Sequence, residues 1–488
     1  MHLQRTHRTL TGMPRSAARE HRPVTAAAGS SASRPGGLLL AVAILTTAAA
    51  AGVPASALAA APWGPPVTIS SPHLSVGPLG VAGTGTSAVA WWRWQDAAGA
   101  GSQFGISTAA QPAGSATFDA EQSRHSGEQI SLDVQGYGDG RLIALSEVLG
   151  PPAVRTGQPN APQRILLSSS DGGGLRAPTT LARANVVGAP QLGVASSGRA
   201  VVAFASYDPK IAHRAIVSAA VRSTSGKFSR PSVISGRGDA HGVAVAVGRR
   251  GDTVVAFVRN RNVVARVRRP GHGWGPIQTL ATPTGPTQWT LHAAVSDAGS
   301  IEVLWHKRFV SDRTDGAALQ ARHMSPGSSR WATRTTIEPI GASSPSALVA
   351  MPGAFAVGYT VRDAATGSPS TARVALLTAH TSTRLDVASP SVGVRDVRLA
   401  WSARYGLFAT VLKPIQDGND DALIGLGAFL APGAASFGPI ETIARTENIT
   451  PAFTPDGAPF TVWSVAPEAA GSPTTPPSRV VRTSTRTG

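Results

Sequence analysis

Three arginines, Arg259, Arg308 and Arg362, fall at matching places in three successive stretches of the chain, each just after a run of β-forming residues. A guanidinium offers a planar fork of N–H donors that matches an oxyanion, so three of them converging would grip an anionic group. Asp96, Glu147, Asp208, Lys413 and Glu468 occupy corresponding places elsewhere, so charge gathers at one end of a repeating unit. Strand ends that simply reach water would give the same pattern, and Asp208 stands beside the arginines as a candidate contact under either reading. Trp91, Trp92 and Trp94 form a local aromatic cluster, and alternation along a strand sends Trp92 to the opposite face from its neighbours. That makes Trp92 a candidate ring for stacking on a sugar, with packing between sheets as its competing role. Asp417, Asn419 and Asp421 alternate as calcium ligands do, although Ala422 stands where a glycine is expected and no downstream glutamate completes a cage. Calcium there is the one cofactor the chain suggests.

Other chemistry is excluded more firmly. The chain of 488 residues has no cysteine, which removes disulfides, thiolate metal sites and thiol nucleophiles. There is no nucleophile elbow, two-histidine zinc helix, phosphate loop or dinucleotide fingerprint.

The elements that would position these residues are set by a repeat. Gly85, Gly140, Gly198, Gly251, Gly299, Gly353, Gly406 and Gly457 each end one apolar or alternating stretch and precede another, at spacings of 48 to 58 residues. Such a period signals propeller blades. The unit from Gly242 to Leu280 shows the pattern best: Val243 to Val247, a turn at Arg249-Arg250-Gly251-Asp252, a return over Thr253 to Phe257, then two more strands. Six residues after each glycine stand Trp91, Ser146, Phe204, Phe257, Trp305, Tyr359, Leu412 and Trp463, read as the wedges between neighbouring sheets. A second series, including Trp63, Phe228, Trp274 and Phe437, opens the fourth strands, several followed by a proline that suits an outer edge. Since Trp63 precedes the first hairpin and only one strand, near Val480, follows the last, the first and last strands are expected to share a blade. The fold class is therefore all-β: a single β-propeller of about eight four-stranded blades, with seven as the alternative, its ring closed by the first mature strand.

The run Leu167-Ser168-Ser169-Ser170-Asp171-Gly172-Gly173-Gly174 resembles the aspartate-box turn between third and fourth strands of sialidase-type propellers. In that motif the aspartate, here Asp171, caps the turn and the glycines, here Gly173 among them, take left-handed conformations, a structural role. The resemblance implies a propeller over residues 62 to 488. Sialidases also resemble one another in an arginine triad, a tyrosine paired with a glutamate, and an acidic aspartate, and that set cannot be placed in this chain. Of four tyrosines, Tyr359 falls at the wedge position, Tyr137 and Tyr405 at hairpin turns and Tyr207 in a loop.

Residues 1 to 59 read as an export signal of bacterial type: six arginines, an apolar run from Leu38 to Ala51, and small residues at Ala57 and Ala59. Translation from Met1 or Met13 would serve equally. Cleavage after Ala59 removes those arginines together with Glu20, so the formal charge of +17 falls by five to +12. A basic exported chain, 60 to 488, is expected to be secreted or loosely wall-associated and to meet an extracellular glycan, an anionic wall polymer or a surface protein. Nucleic acid is not expected, nor a membrane span after cleavage, and a monomer is expected. Two functions remain open: a noncatalytic propeller that binds through its loop face, and a sialidase-like glycoside hydrolase with divergent catalytic residues.

Overall fold

The computed structural model describes residues 63–486 apart from several loop segments, of which 149–162 and 466–478 are the longest. Residues 1–59, expected to be an export signal, lie outside the described residues, as do Gly85, Gly140, Asp171, Gly173, Asp417, Asn419 and Asp421. The rest forms eight four-stranded antiparallel sheets, the blades of a β-propeller. No helix among the described residues is long and apolar enough to cross a membrane.

Blades 1 to 7 follow one another along the chain, each with strands a to d in order. Blade 1 comprises Ser75–Thr84, Ser87–Ala98, Gly101–Gln111 and Gln122–His125; blade 2, Gln129–Tyr137, Arg141–Val148, Gln163–Ser169 and Thr179–Ala184. Blade 3 comprises Gln191–Val194, Ala200–Tyr207, Ala215–Arg222 and Ser232–Val233; blade 4, Ala240–Val247, Thr253–Arg259, Asn262–Arg268 and Gln278–Ala281. Blade 5 comprises Thr287–Val295, Ile301–Phe309, Ala318–Met324 and Thr335–Glu338; blade 6, Ala347–Met351, Ala354–Arg362, Pro369–Leu377 and Ser382–Asp386. Blade 7 comprises Asp396–Ser402, Gly406–Pro414, Leu423–Leu430 and Glu441–Arg445. Blade 8 takes Asn448–Phe453, Pro459–Val465 and Val480–Thr485 from the end of the chain and its strand d, Val67–Thr68, from the start. Val67 pairs with Thr483, and flanking bridges join Trp63 to Arg486 and His73 to Arg479. The closure expected from the unpaired first and last strands is thus present.

Turn chemistry explains the glycine phase. Gly198, Gly251, Gly299, Gly353, Gly406 and Gly457 all take positive φ, between 73° and 97°, at the a–b hairpins. At Gly406 the demand is double, because an added Cβ would also drive into the Leu430 carbonyl oxygen.

Apolar side chains on both faces of each blade meet those of its neighbours, so the core is a ring of eight seams. Phe257 fills the seam of blades 3 and 4, Trp305 that of 4 and 5, Tyr359 that of 5 and 6, and Ile69 belongs to the seam that joins blade 8 to blade 1. The middle strands are accordingly almost wholly buried, as in Ala200–Tyr207 and Thr253–Arg259. Strands d are short and exposed, as in Ser232–Val233, which accounts for the prolines that precede them. The aromatics expected to open strand d sit just before it instead: Phe228 and Trp274 bridge back to Arg222 and Arg268 at the ends of strands c.

One expectation fails. Trp92, proposed as the outward ring of its cluster, is fully buried in the seam of blades 8 and 1. The cause is where the glycine sits in the turn: two hairpins are equally short, but strand b opens at Ser87, two residues after Gly85, in blade 1 and at Ala354, one residue after Gly353, in blade 6. The ring that faces the preceding blade therefore falls seven residues after the glycine in blade 1 and six in blade 6, and a shift of one exchanges the two faces of a strand. Trp92, not Trp91, is therefore the counterpart of Phe257 and Trp305, and no face of it is open to a sugar.

The inner strands leave one edge without a sheet partner, and side chains from the preceding blade satisfy part of it. Leu192 N–H donates to Asp133 Oδ2 at 2.9 Å and Val194 N–H to Gln135 Oε1 at 3.1 Å. Ser346 Oγ likewise both donates to the Val397 carbonyl and accepts from its N–H.

Candidate functional site

The b–c and d–a connections share one end of the ring, and the three predicted arginines do stand there, at the ends of strands b in blades 4, 5 and 6. Their side chains are used differently. Arg259 donates through Nε, at 2.9 Å, and through a terminal nitrogen, at 2.5 Å, to the Arg237 carbonyl. It thereby ties the end of its strand to the loop that enters the same blade. Arg308 pairs with Gln288 along the backbone, and its side chain lies outside the described residues. Arg362 is exposed, and its N–H donates to the Gly341 carbonyl. No described contact links any two of the three. Asp208 serves its own loop: Oδ1 accepts from Lys210 N–H at 2.9 Å and Oδ2 from the Arg214 guanidinium. Those two partners, the Lys210 N–H first, hold its carboxyl below the ordinary range.

A tyrosine and a glutamate do meet, although not where a hydrolase would need them. Tyr359 in strand b of blade 6 donates its hydroxyl to Glu338 Oε2, at the end of strand d of blade 5, at 3.3 Å. Arg373 adds a bond to the same oxygen at 2.8 Å, and Arg384 reaches Glu338 Oε1 at 3.3 Å. Arg373 also holds Asp386 at 2.7 Å. Tyr359 is 0% exposed, so no substrate carbon can reach its oxygen. Burial first, and then the Glu338 carboxylate, push the phenol well above its ordinary value. An activated nucleophile needs the opposite shift. The cluster pins blade 5 to blade 6.

His73, which the sequence reading passed over, sits between two carboxylates at the ring closure. Its Nδ1 lies 3.0 Å from Asp96 Oδ2 and its Nε2 3.3 Å from Glu121 Oε1, while its ring stacks on Trp94 with centroids 4.9 Å apart and planes within 6°. Leu74 N–H and Ser71 N–H donate to the same two carboxylates, and His73 exchanges backbone hydrogen bonds with Arg479. Burial alone would lower the imidazole pKa, yet the bonds and charges of Glu121 and Asp96 outweigh it and raise the pKa above 6.5. Burial opposes ionisation of Glu121, but bonds from His73, Ser107 and Ser71 bring its carboxyl down to about 2. A histidine whose folded pKa is raised contributes stability that is complete below about 6.5 and is lost as pH climbs through the folded value. The deficit in melting temperature of His73→Gln relative to the parent chain is therefore expected to be largest near pH 5.5 and to shrink by pH 9. A deficit of equal size at both pH values would contradict the charged clamp.

Other titratable groups are likewise held in place. His323 Nδ1 lies 3.0 Å from Glu302 Oε2, both buried within blade 5, and burial raises the Glu302 carboxyl against the pull of His323. Burial pushes Asp133, which caps the Leu192 N–H, up to about 6. Burial, with His306 adding to it, takes His292 down to about 4. Among the described residues no group of three or more histidine or acidic side chains is arranged to hold a metal ion.

At the opposite end of the ring, where a–b hairpins and c–d turns lie, blades 2 and 3 enclose a groove of about 440 Å³. Its lining combines apolar residues, serine and threonine hydroxyls, and the cations Arg222, Lys227 and Arg230.

These features define an eight-bladed β-propeller. No protein-family model matches the chain, and no curated protein does. Solved structures similar to it include the polysaccharide lyase Uly1, at 10% identity over 86% of this chain and 90% of that one, with a TM-score of 0.44. A phage phi92 endosialidase is similar at 11% identity over 86% of this chain and 68% of that one, with a TM-score of 0.40. The Aleuria aurantia lectin is similar at 13% identity over 59% of this chain and 91% of that one, with a TM-score of 0.32. Likeness at this level assigns neither a ligand nor a reaction to this chain.

Proposed function

We propose that the chain is an exported, noncatalytic propeller that binds an acidic extracellular glycan or wall polymer. The observation that supports this reading is that three sets of groups able to do acid, base or nucleophilic chemistry are tied up in internal bonds. Tyr359 with Glu338, His323 with Glu302, and His73 with Asp96 and Glu121 are each bound to one another within a blade or across a seam. Glycoside cleavage needs an acid and a nucleophile or base facing one open cleft: two carboxyl groups in most hydrolases, a tyrosine and an acidic aspartate in sialidases. The charge of the exported chain, residues 60–488, favours an anionic partner, since its basic residues outnumber its acidic ones by 38 to 26.

The purified protein, applied to arrays of acidic and neutral glycans and incubated with fluorogenic glycosides, is expected to be retained by acidic polymers and to release no fluorophore. Turnover that disappears when one acidic side chain is replaced would defeat the reading.

A further inference from the structure

The groove between blades 2 and 3 joins three kinds of surface that no single blade supplies. Its apolar floor includes Ile143, Leu167 and Phe228, all members of the seam between the two blades or packed against it. One wall is the end of strand c and the start of strand d of blade 2, which bring the hydroxyl residues Ser169 and Thr180. The other is the c–d turn of blade 3, built on Gly226 at φ 84° and carrying Lys227, with Arg230 just beyond it.

The cations differ in role. Arg222 is a building element: its guanidinium donates to the Gly198 carbonyl at 2.5 Å, to the Gly226 carbonyl at 3.2 Å and to Tyr137 Oη at 3.2 Å. These partners are neutral, and no described carboxylate pairs with it. Lys227 and Arg230 are exposed and form no ion pair with a described carboxylate. Three positive charges thus border a concave site with low-dielectric walls, which focuses positive potential into it. Its volume lies within the roughly 300–1,000 Å³ typical of ligand sites. A bare inorganic anion would use the cations and leave the apolar floor wet. An acidic sugar matches every surface: a carboxylate or sulfate ester for Lys227 and Arg230, hydroxyls for Ser169 and Thr180, and a C–H face for Phe228.

We propose that this groove is the binding site for an acidic sugar unit of a polymer. The inference rests on the reading of the chain as a binder of acidic polymers, and it places the site at the end of the ring opposite to Arg259, Arg308 and Arg362. Lys227→Ala/Arg230→Ala leaves the seams untouched, because both side chains are exposed.

The test measures retention of the whole purified protein on immobilised polygalacturonate, sulfated dextran, polyphosphate and neutral dextran near physiological ionic strength. The parent chain is expected to bind polygalacturonate or sulfated dextran in preference to polyphosphate and neutral dextran. The double variant is expected to lose about tenfold or more in affinity for the preferred polymer, the scale of one lost charge-assisted hydrogen bond. Arg249→Ala/Arg404→Ala, which removes two exposed charges from other turns at the same end of the ring, is expected to change it less than about twofold. Unchanged affinity in Lys227→Ala/Arg230→Ala, while the parent still binds an acidic polymer, would overturn the groove and leave the binding reading intact. Equal losses in both double variants, or polyphosphate held as tightly as the acidic glycans, would overturn a sugar site in favour of net charge. A parent chain that binds none of the four polymers would overturn both readings at once.

Discussion

A chain that starts at Pro72, and so lacks residues 60–71, is expected to lose its cooperative melt and to associate into oligomers on size-exclusion chromatography. The segment supplies strand d of blade 8. Its loss removes the bond from Gly64 N–H to the Thr485 carbonyl, that from Ile69 N–H to the Val481 carbonyl, and the Ser70 Oγ acceptor for Val481 N–H. The bond from Trp63 Nε1 to Glu441 at 3.0 Å goes too, as does Ile69, 7% exposed in the seam of blades 8 and 1. Each net hydrogen bond contributes about 1 kcal/mol and a buried Ile or Trp about 2–3 kcal/mol. Together these approach the ~5–15 kcal/mol by which a folded domain exceeds its unfolded state. The truncation also bares Val480–Thr485 as an edge whose backbone groups can recruit a second chain. A melting temperature within a few degrees of the parent, measured by circular dichroism, would show that the first strand closes nothing.

Glu338→Ala is expected to destabilise the ring by about 3 kcal/mol in urea denaturation, and Tyr359→Phe by about 1 kcal/mol. The inequality follows from geometry. Glu338 is 6% exposed and accepts from Tyr359, Arg373 and Arg384, so its removal strands the buried Tyr359 hydroxyl and takes a carboxylate from two guanidinium groups at the seam of blades 5 and 6. Loss of one partner from a buried ionic cluster costs about 3–5 kcal/mol, and the lower figure applies because Arg373 keeps Asp386 and is partly solvated. The Tyr359 change removes one bond of 3.3 Å and keeps the ring that fills the seam. Equal effects of the two substitutions would mean that the phenol, not the carboxylate, organises the cluster.

The architecture was legible because its signals are local and repeated. A hairpin that turns through positive φ demands glycine, and the six such glycines that the structure describes all carry that conformation. The shared blade was legible from an excess: one strand before the first hairpin and one after the last can be paired only with each other. The phase of individual side chains was less secure. Trp91 and Trp92 exchange faces when strand b starts one residue later after the glycine, and the text of the sequence does not mark where the pairing begins.

The site was harder to read because its contacts are distant in sequence or backbone-directed. His73 meets partners 23 and 48 residues away, in strands b and the approach to d of the next blade, and a lone histidine before a strand carries no mark of that. Arg259 was placed at the correct end of its blade, yet its partner is the Arg237 carbonyl, and a carbonyl has no sequence signature. The groove of blades 2 and 3 is assembled from the outer ends of two sheets, so its cations are more than forty residues from the hydroxyls of the facing wall: Lys227 against Thr180.

The central claim, that the ring binds an acidic polymer and leaves it intact, is tested most directly by prolonged incubation of the purified protein with the polymer that retains it. Chain length, new reducing ends and the ultraviolet absorbance of unsaturated sugar ends would be followed together. Retention with unchanged chain length and no rise in either signal is the predicted result. New reducing or unsaturated ends that disappear when Glu338, Asp96 or Glu121 is replaced would contradict it.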